Sequence, residues 1–142
     1  MTAVRAAALA ATLAWQTSQA NPAEDYMLHC MGCHGTSAAG VPGKIPPLAN
    51  SLSRFMRTPA GRDYVLRVPG AANSALSDVQ LAAVLNWLAI TYDTGATARN
   101  PAPFTSTEVA RLRHKPLVSV LATRTAVIRD LAASGTAPPA QY

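Results

Sequence analysis

Cys30-Met31-Gly32-Cys33-His34, followed by Gly35, is the stretch from which the rest of the chain can be read. Cysteines three apart on a helix lie on one face, one turn from each other. In that position two thiols can add across the two vinyl groups of a haem, and the next residue, His34, can turn its imidazole toward the iron. A neutral imidazole is a usual way for a protein to hold haem iron from one side, and C-x-x-C-H is the haem-attachment spacing among short cysteine motifs. Both cysteines of the chain fall inside the motif, so none is left for a disulfide or a four-thiolate site. Two other readings stand beside it. A redox dithiol wants a βαβ surround, and no such alternation of patterns is found. A zinc site would recruit His29 or His114 and use the adjacent pair Cys33-His34, an awkward geometry for a tetrahedron.

The chain has 142 residues, enough for one domain with a real core and an appendage. It is Ala-rich and only 13% charged, which suits packed helices rather than disorder. The formal charge of +5 favours an acidic protein surface over nucleic acid, because the arginines are scattered and no basic run with interleaved aromatics occurs. Residues 1–20 read as an export signal: Arg5 gives a positive start, Ala6 to Trp15 an apolar run, and Ser18-Gln19-Ala20 a small-residue cleavage site. The apolar run is too short to anchor the chain, so a mature chain without a membrane span, starting near Asn21, is expected in the periplasm.

Beyond the leader the signals are helical. Asn21-Pro22-Ala23-Glu24 is a helix start, with Asn as cap and Pro at the first helical position. That helix is expected to carry the haem motif on its last turn. Ser37 to Lys44 is a Gly- and Pro-punctuated loop closed by Ile45-Pro46-Pro47-Leu48. A short helix is expected over Asn50–Arg57, a second over Pro59 to about Arg67 capped by Thr58, and a break at Val68-Pro69-Gly70. After a loop over Ala71–Leu76, Ser77-Asp78-Val79-Gln80 opens the best-defined helix. In it Leu81, Val84, Leu85, Leu88 and Tyr92 recur at helical spacing.

Tyr26, the C-x-x-C-H-G run and a Pro-x-Leu segment twelve residues after His34 together resemble the class I cytochrome c family, over about residues 22–92. The resemblance implies an all-α, cytochrome c-like helical fold around one covalent haem c bound by Cys30 and Cys33. It implies His34 as proximal iron ligand and the Pro46 carbonyl as hydrogen-bond partner of its other ring nitrogen, a contact that fixes the tautomer. It also implies a crossing of the first and last core helices near an aromatic contact, for which Trp87 against the Tyr26 helix is the candidate.

Residues 94–104 read as a linker and 105–142 as a C-terminal extension of two helices. The first opens with a second capping box, Thr105-Ser106-Thr107-Glu108, and Lys115-Pro116 breaks it. The second puts Leu117, Val120, Leu121, Val127, Ile128 and Leu131 on one side. The sequence departs from the family at the second axial ligand: where the resemblance wants a methionine before a proline, Val68 stands before Pro69. Met56 is the one methionine after the haem motif and hence the candidate; an open sixth site, or His29 or His114, are the alternatives. The expected function is single-electron transfer between periplasmic redox proteins. A haem enzyme or a gas- or peroxide-binding sensor with an open site competes with it, as does a tightly bound subunit of a periplasmic dehydrogenase. Arg54, Arg57, Arg62 and Arg67 crowd one segment and are the candidate positive rim for an acidic partner.

Overall fold

A computed structural model describes residues 21–95 and 101–138; the expected export signal, residues 96–100 of the linker and the last four residues lie outside the described part. The described residues form helices and loops with no strand, apart from a single bridge between Val41 and Ile45. Among them eight helices follow one another: α1 (Pro22–His29), α2 (Met31–His34), α3 (Leu52–Phe55), α4 (Pro59–Arg67), α5 (Pro69–Ala72), α6 (Asp78–Thr91), α7 (Ser106–Leu112) and α8 (Val120–Ala133).

The helix starts follow local capping chemistry. The Asn21 side chain accepts from Ala23 N, Thr58 from Gly61 N and Ser77 from Gln80 N, each satisfying an amide that the first turn leaves open. At Ser77 the box is complete, because the Gln80 side chain returns to the cap. At Thr105 it is half formed: Thr105 accepts from Glu108 N, but the Glu108 carboxylate turns to Arg62 instead.

Two local expectations change. The first helix is not continuous through the haem motif: Cys30 leaves helical geometry at φ −129°, and Met31–His34 forms a separate turn. The segment after Val68 is not loop throughout; Pro69 starts the short α5, with Val68 as an extended hinge (ψ 142°) between α4 and α5.

Loop closure after the motif depends on Gly40. At φ +69° it occupies the left-handed region, and a Cβ there would overlap the Ile45 carbonyl oxygen. The tight turn that follows, with Val41 and Ile45 exchanging both backbone bonds at 2.8 Å, brings Pro46 back beside His34.

α1 packs on α6, and here Tyr26 meets Trp87 at a centroid distance of 5.9 Å. Tyr92 completes a cluster of three rings, 6.0 Å from Tyr26 and edge-on to Trp87 at 5.7 Å. The C-terminal helices share the core of the rest: α7 lies on α6 and α4, and α8 on α4 and α3. Phe104, Val109, Val127 and Leu131 are buried in the same apolar cluster as Leu66, Leu81 and Val84.

Candidate haem site

The motif residues are positioned by backbone hydrogen bonds within the turn. Cys33 N and His34 N both donate to Cys30 O, at 3.1 and 3.0 Å, so the two cysteines and the histidine share one wall. Both thiols are free, Cys30 half-buried and Cys33 exposed. Burial raises the Cys30 thiol above its ordinary 9.0, with the nearby Asp25 carboxylate and Cys33 acting the same way. His34 is held from behind: its Nδ1 lies 3.1 Å from the Pro46 carbonyl oxygen. Burial pushes its imidazole below the ordinary 6.5, while the Pro46 carbonyl works in the other direction. The net effect favours the neutral ring, with Nδ1–H donating to Pro46 and Nε2 carrying the free lone pair, the state a metal ligand needs. The Tyr26 hydroxyl donates to Gly35 O at 2.5 Å and ties the end of the motif to the aromatic cluster.

This wall opens on a cavity of about 680 Å³. Its other walls come from α3 (Leu52, Phe55), from α4 and the hinge (Tyr64, Val65, Val68), from α5 (Pro69, Ala71) and from α6 (Leu81, Leu85, Leu88). α8 adds Val120, Leu121 and Arg124. The volume is that of a cofactor site, and the lining is apolar with few polar groups. Two of those groups mark where charge belongs. Ser51 Oγ is buried and has no hydrogen-bond partner among the described residues, although its side chain lines the cavity. The Arg124 guanidinium is brought in from α8 and sits 5.3 Å from the centre of the Phe55 ring. A flat apolar ring with acidic edges and reactive vinyl groups matches this set of two thiols, one imidazole, oily walls, a buried hydroxyl and a cation. Haem therefore fits the residues present.

No protein-family model matches the chain. It is similar to a cytochrome c-552 of Thermus thermophilus, at 33% identity over 127 residues that cover 75% of this chain and 85% of that protein. It is equally similar to a second cytochrome c-552 of the same species, at 33% identity over 126 residues, covering 75% of this chain and 95% of the relative. The chain belongs to the cytochrome c family. The likeness reaches further than residues 22–92, because 75% of the chain is more than residues 1–92 amount to. The side chains of the C-terminal helices of this cytochrome share its core.

The structure does not bring every expected residue to the cavity. Met56 is absent from its lining: buried at 3% exposure, it borders a separate outer recess with Arg57, Thr58, Pro59 and Arg62. The reason is helical phase. Leu52 and Phe55, three apart, are the α3 residues on the cavity, and the next position is rotated away from their face. His114 is exposed and also off the cavity, whereas His29 borders it beside Cys30. The expected docking rim is corrected as well. Arg62 makes a two-pronged pair with Glu108, at 2.8 and 2.5 Å, and donates to Ala102 O and Pro103 O. Arg67 binds Asp63, Lys115 O and Pro116 O, and Arg54 binds Asn50 O and Ala137 O. These guanidinium groups hold the C-terminal segment onto the core.

Sequence reasoning passed over Arg113 and Arg124. Each lies four residues after a buried or cavity-lining valine, Val109 and Val120, and so on the inward face of its helix. That spacing was the available signal.

Proposed function

We propose that this cytochrome carries one haem, bound covalently through Cys30 and Cys33, and passes single electrons between redox proteins of the periplasm. The observation that carries the reading is the wall formed by Cys30, Cys33 and His34, with His34 Nδ1 3.1 Å from Pro46 O, facing an apolar cavity of about 680 Å³. Haem supplies a reversible one-electron couple at its iron. His34 Nε2 is the ligand on the motif side, and Pro46 fixes the ring's orientation and tautomer. Ser51, the N-cap of α3, and Arg124 of α8 are the residues suited to the haem carboxylates, a buried hydroxyl and a cation that both line the cavity. The apolar walls exclude water and so limit the solvent reorganisation that accompanies a change of charge. The similarity to cytochromes c-552 supports a carrier over an enzyme.

The partners are redox proteins with acidic faces, matching a net charge of +5 for the full sequence that remains positive when Arg5 leaves with the leader. No helix of the described residues is long and apolar enough to cross a membrane. The test is the covalent bond itself. The purified protein should retain haem through acidified organic solvent, Cys30→Ala and Cys33→Ala should each weaken that retention, and a redox titration should follow a one-electron curve. Haem that extracts fully from the unaltered protein would refute the reading.

A further inference from the structure

We infer that no side chain among the described residues occupies the iron position across from His34, and that this position takes a small diatomic ligand of the carbon monoxide and nitric oxide class. The inference rests on the haem reading above. It follows from an inventory of donors. Side chains that ligate haem iron are imidazole, thioether, thiolate, phenolate and, when deprotonated, amine. Of the four methionines, Met1 lies outside the described residues, Met27 is half exposed on α1, Met31 sits between the motif cysteines, and Met56 faces the outer recess. None of the described three lines the cavity.

The remaining nitrogen and sulfur donors that do line it sit on or next to the motif wall. His29 directly precedes Cys30, and Lys44 lies two residues before Pro46, the partner of His34. A histidine tied by one peptide bond to a haem-linked cysteine lacks the chain length to reach the opposite face of a macrocycle. The walls contributed by α4, the hinge and α5 present Val65, Val68, Pro69 and Ala71. Val68 is the hinge itself, and Pro69 through Ala72 turn at once into α5, so no slack loop is present there to swing a distant donor inward. Among the described residues Tyr64 is the one phenol on the cavity, and its ring is held by stacking on Phe55 at 5.5 Å and 29°. The side chains of Val65, Val68, Pro69 and Ala71 are themselves apolar and offer a bound anion no hydrogen bond. A neutral diatomic that accepts electron density from ferrous iron suits that wall.

The experiment uses the purified holoprotein. Covalent haem is first verified by the alkaline pyridine spectrum. Absorption and resonance Raman spectra of the ferric and the dithionite-reduced protein are then recorded, with and without carbon monoxide. The expected result is a high-spin, five-coordinate ferrous haem that converts fully to a six-coordinate adduct at one carbon monoxide per haem. Met56→Leu, which keeps the core volume, should give the same spectra as the unaltered protein, and Tyr64→Phe should leave ferrous coordination unchanged. Covalent haem that is low-spin and resists carbon monoxide would overturn the inference while leaving the carrier reading intact, as would a Met56→Leu protein that gains carbon monoxide binding. Failure to find covalent haem would instead bring down the reading beneath it, and this one with it.

Discussion

Replacing Arg113 with alanine should cost this cytochrome about 3 kcal/mol of stability, although the residue is a single arginine at the end of a seven-residue helix far along the chain. Its guanidinium is 5% exposed and donates to Leu76 O at 2.8 Å, Ser74 O at 2.7 Å, Ala72 O at 3.3 Å and the Asp78 carboxylate at 3.1 Å. These acceptors follow one another through the α5–α6 connection, which borders the haem cavity through Ala71 and Ser74. A hydrogen bond to a charged group contributes about 1.5–3 kcal/mol, so adding the four contacts would overshoot. Removing one member of a buried charged pair costs about 3–5 kcal/mol. The lower end applies, because Asp78 is 35% exposed and sits in the first turn of α6, where the helix dipole favours a carboxylate without help. Guanidinium chloride unfolding of the holoprotein, followed by both far-ultraviolet circular dichroism and haem absorbance, would read the loss at unchanged slope. Arg113→Lys should recover only part of it, since an ammonium cannot reach carbonyls spread from Ala72 to Leu76 as a planar fork does. A loss below about 1 kcal/mol, or a lysine variant as stable as the unaltered protein, would refute the reasoning.

Gly61→Ala should destabilise the fold by about 2 kcal/mol, even though alanine is worth about 1 kcal/mol over glycine in a helix, because the new Cβ would overlap Phe55 O and drive α4 off α3; an unchanged or raised melting temperature would contradict this. Glu108→Gln should cost about 1–2 kcal/mol at pH 7, where the carboxylate completes its two-pronged pair with Arg62. The Arg62 hydrogen bond holds Glu108 below its ordinary 4.5, so the pair's stabilisation is full above that value and lost as pH falls through the depressed one. The difference between the two proteins should therefore close below pH 4.5, and a gap that persists unchanged at about pH 3 would show that geometry, not charge, is responsible. Leu131→Ala, at a fully buried position of α8, should cost about 2–5 kcal/mol, as for any core leucine, whereas a separable appendage would show almost no effect on cooperative unfolding.

Much of the architecture was legible because it is local. Asn21, Thr58, Ser77 and Thr105 cap the helices they were expected to cap, since an N-cap needs only a side-chain oxygen and an amide two or three residues on. The period of Leu81, Val84, Leu85 and Leu88 marked the buried face of α6 in the same way. The meeting of Tyr26 with Trp87 and of His34 with Pro46 was implied by family resemblance, and the distances are those of direct contact.

Residue type, spacing and capping are properties of short segments, and from them alone came the chemistry of the motif wall and the all-helical class. Long-range packing settled which cations are engaged inside the fold and which side of α3 faces the cavity. Arg54, Arg62 and Arg67 look like a surface cluster until the C-terminal segment lies across them, and each has at least one partner 40 or more residues away. Met56 was a candidate ligand by type, yet it stands one residue past α3 and borders the outer recess, whereas Phe55 lines the cavity. Arg124 and Arg113 point inward because the carbonyls and the cavity they serve are assembled from other helices. Which face of a helix is buried follows from its own pattern. What that face touches depends on the packing of segments distant in sequence, and a charged residue is tolerated inside only where that packing supplies its partners.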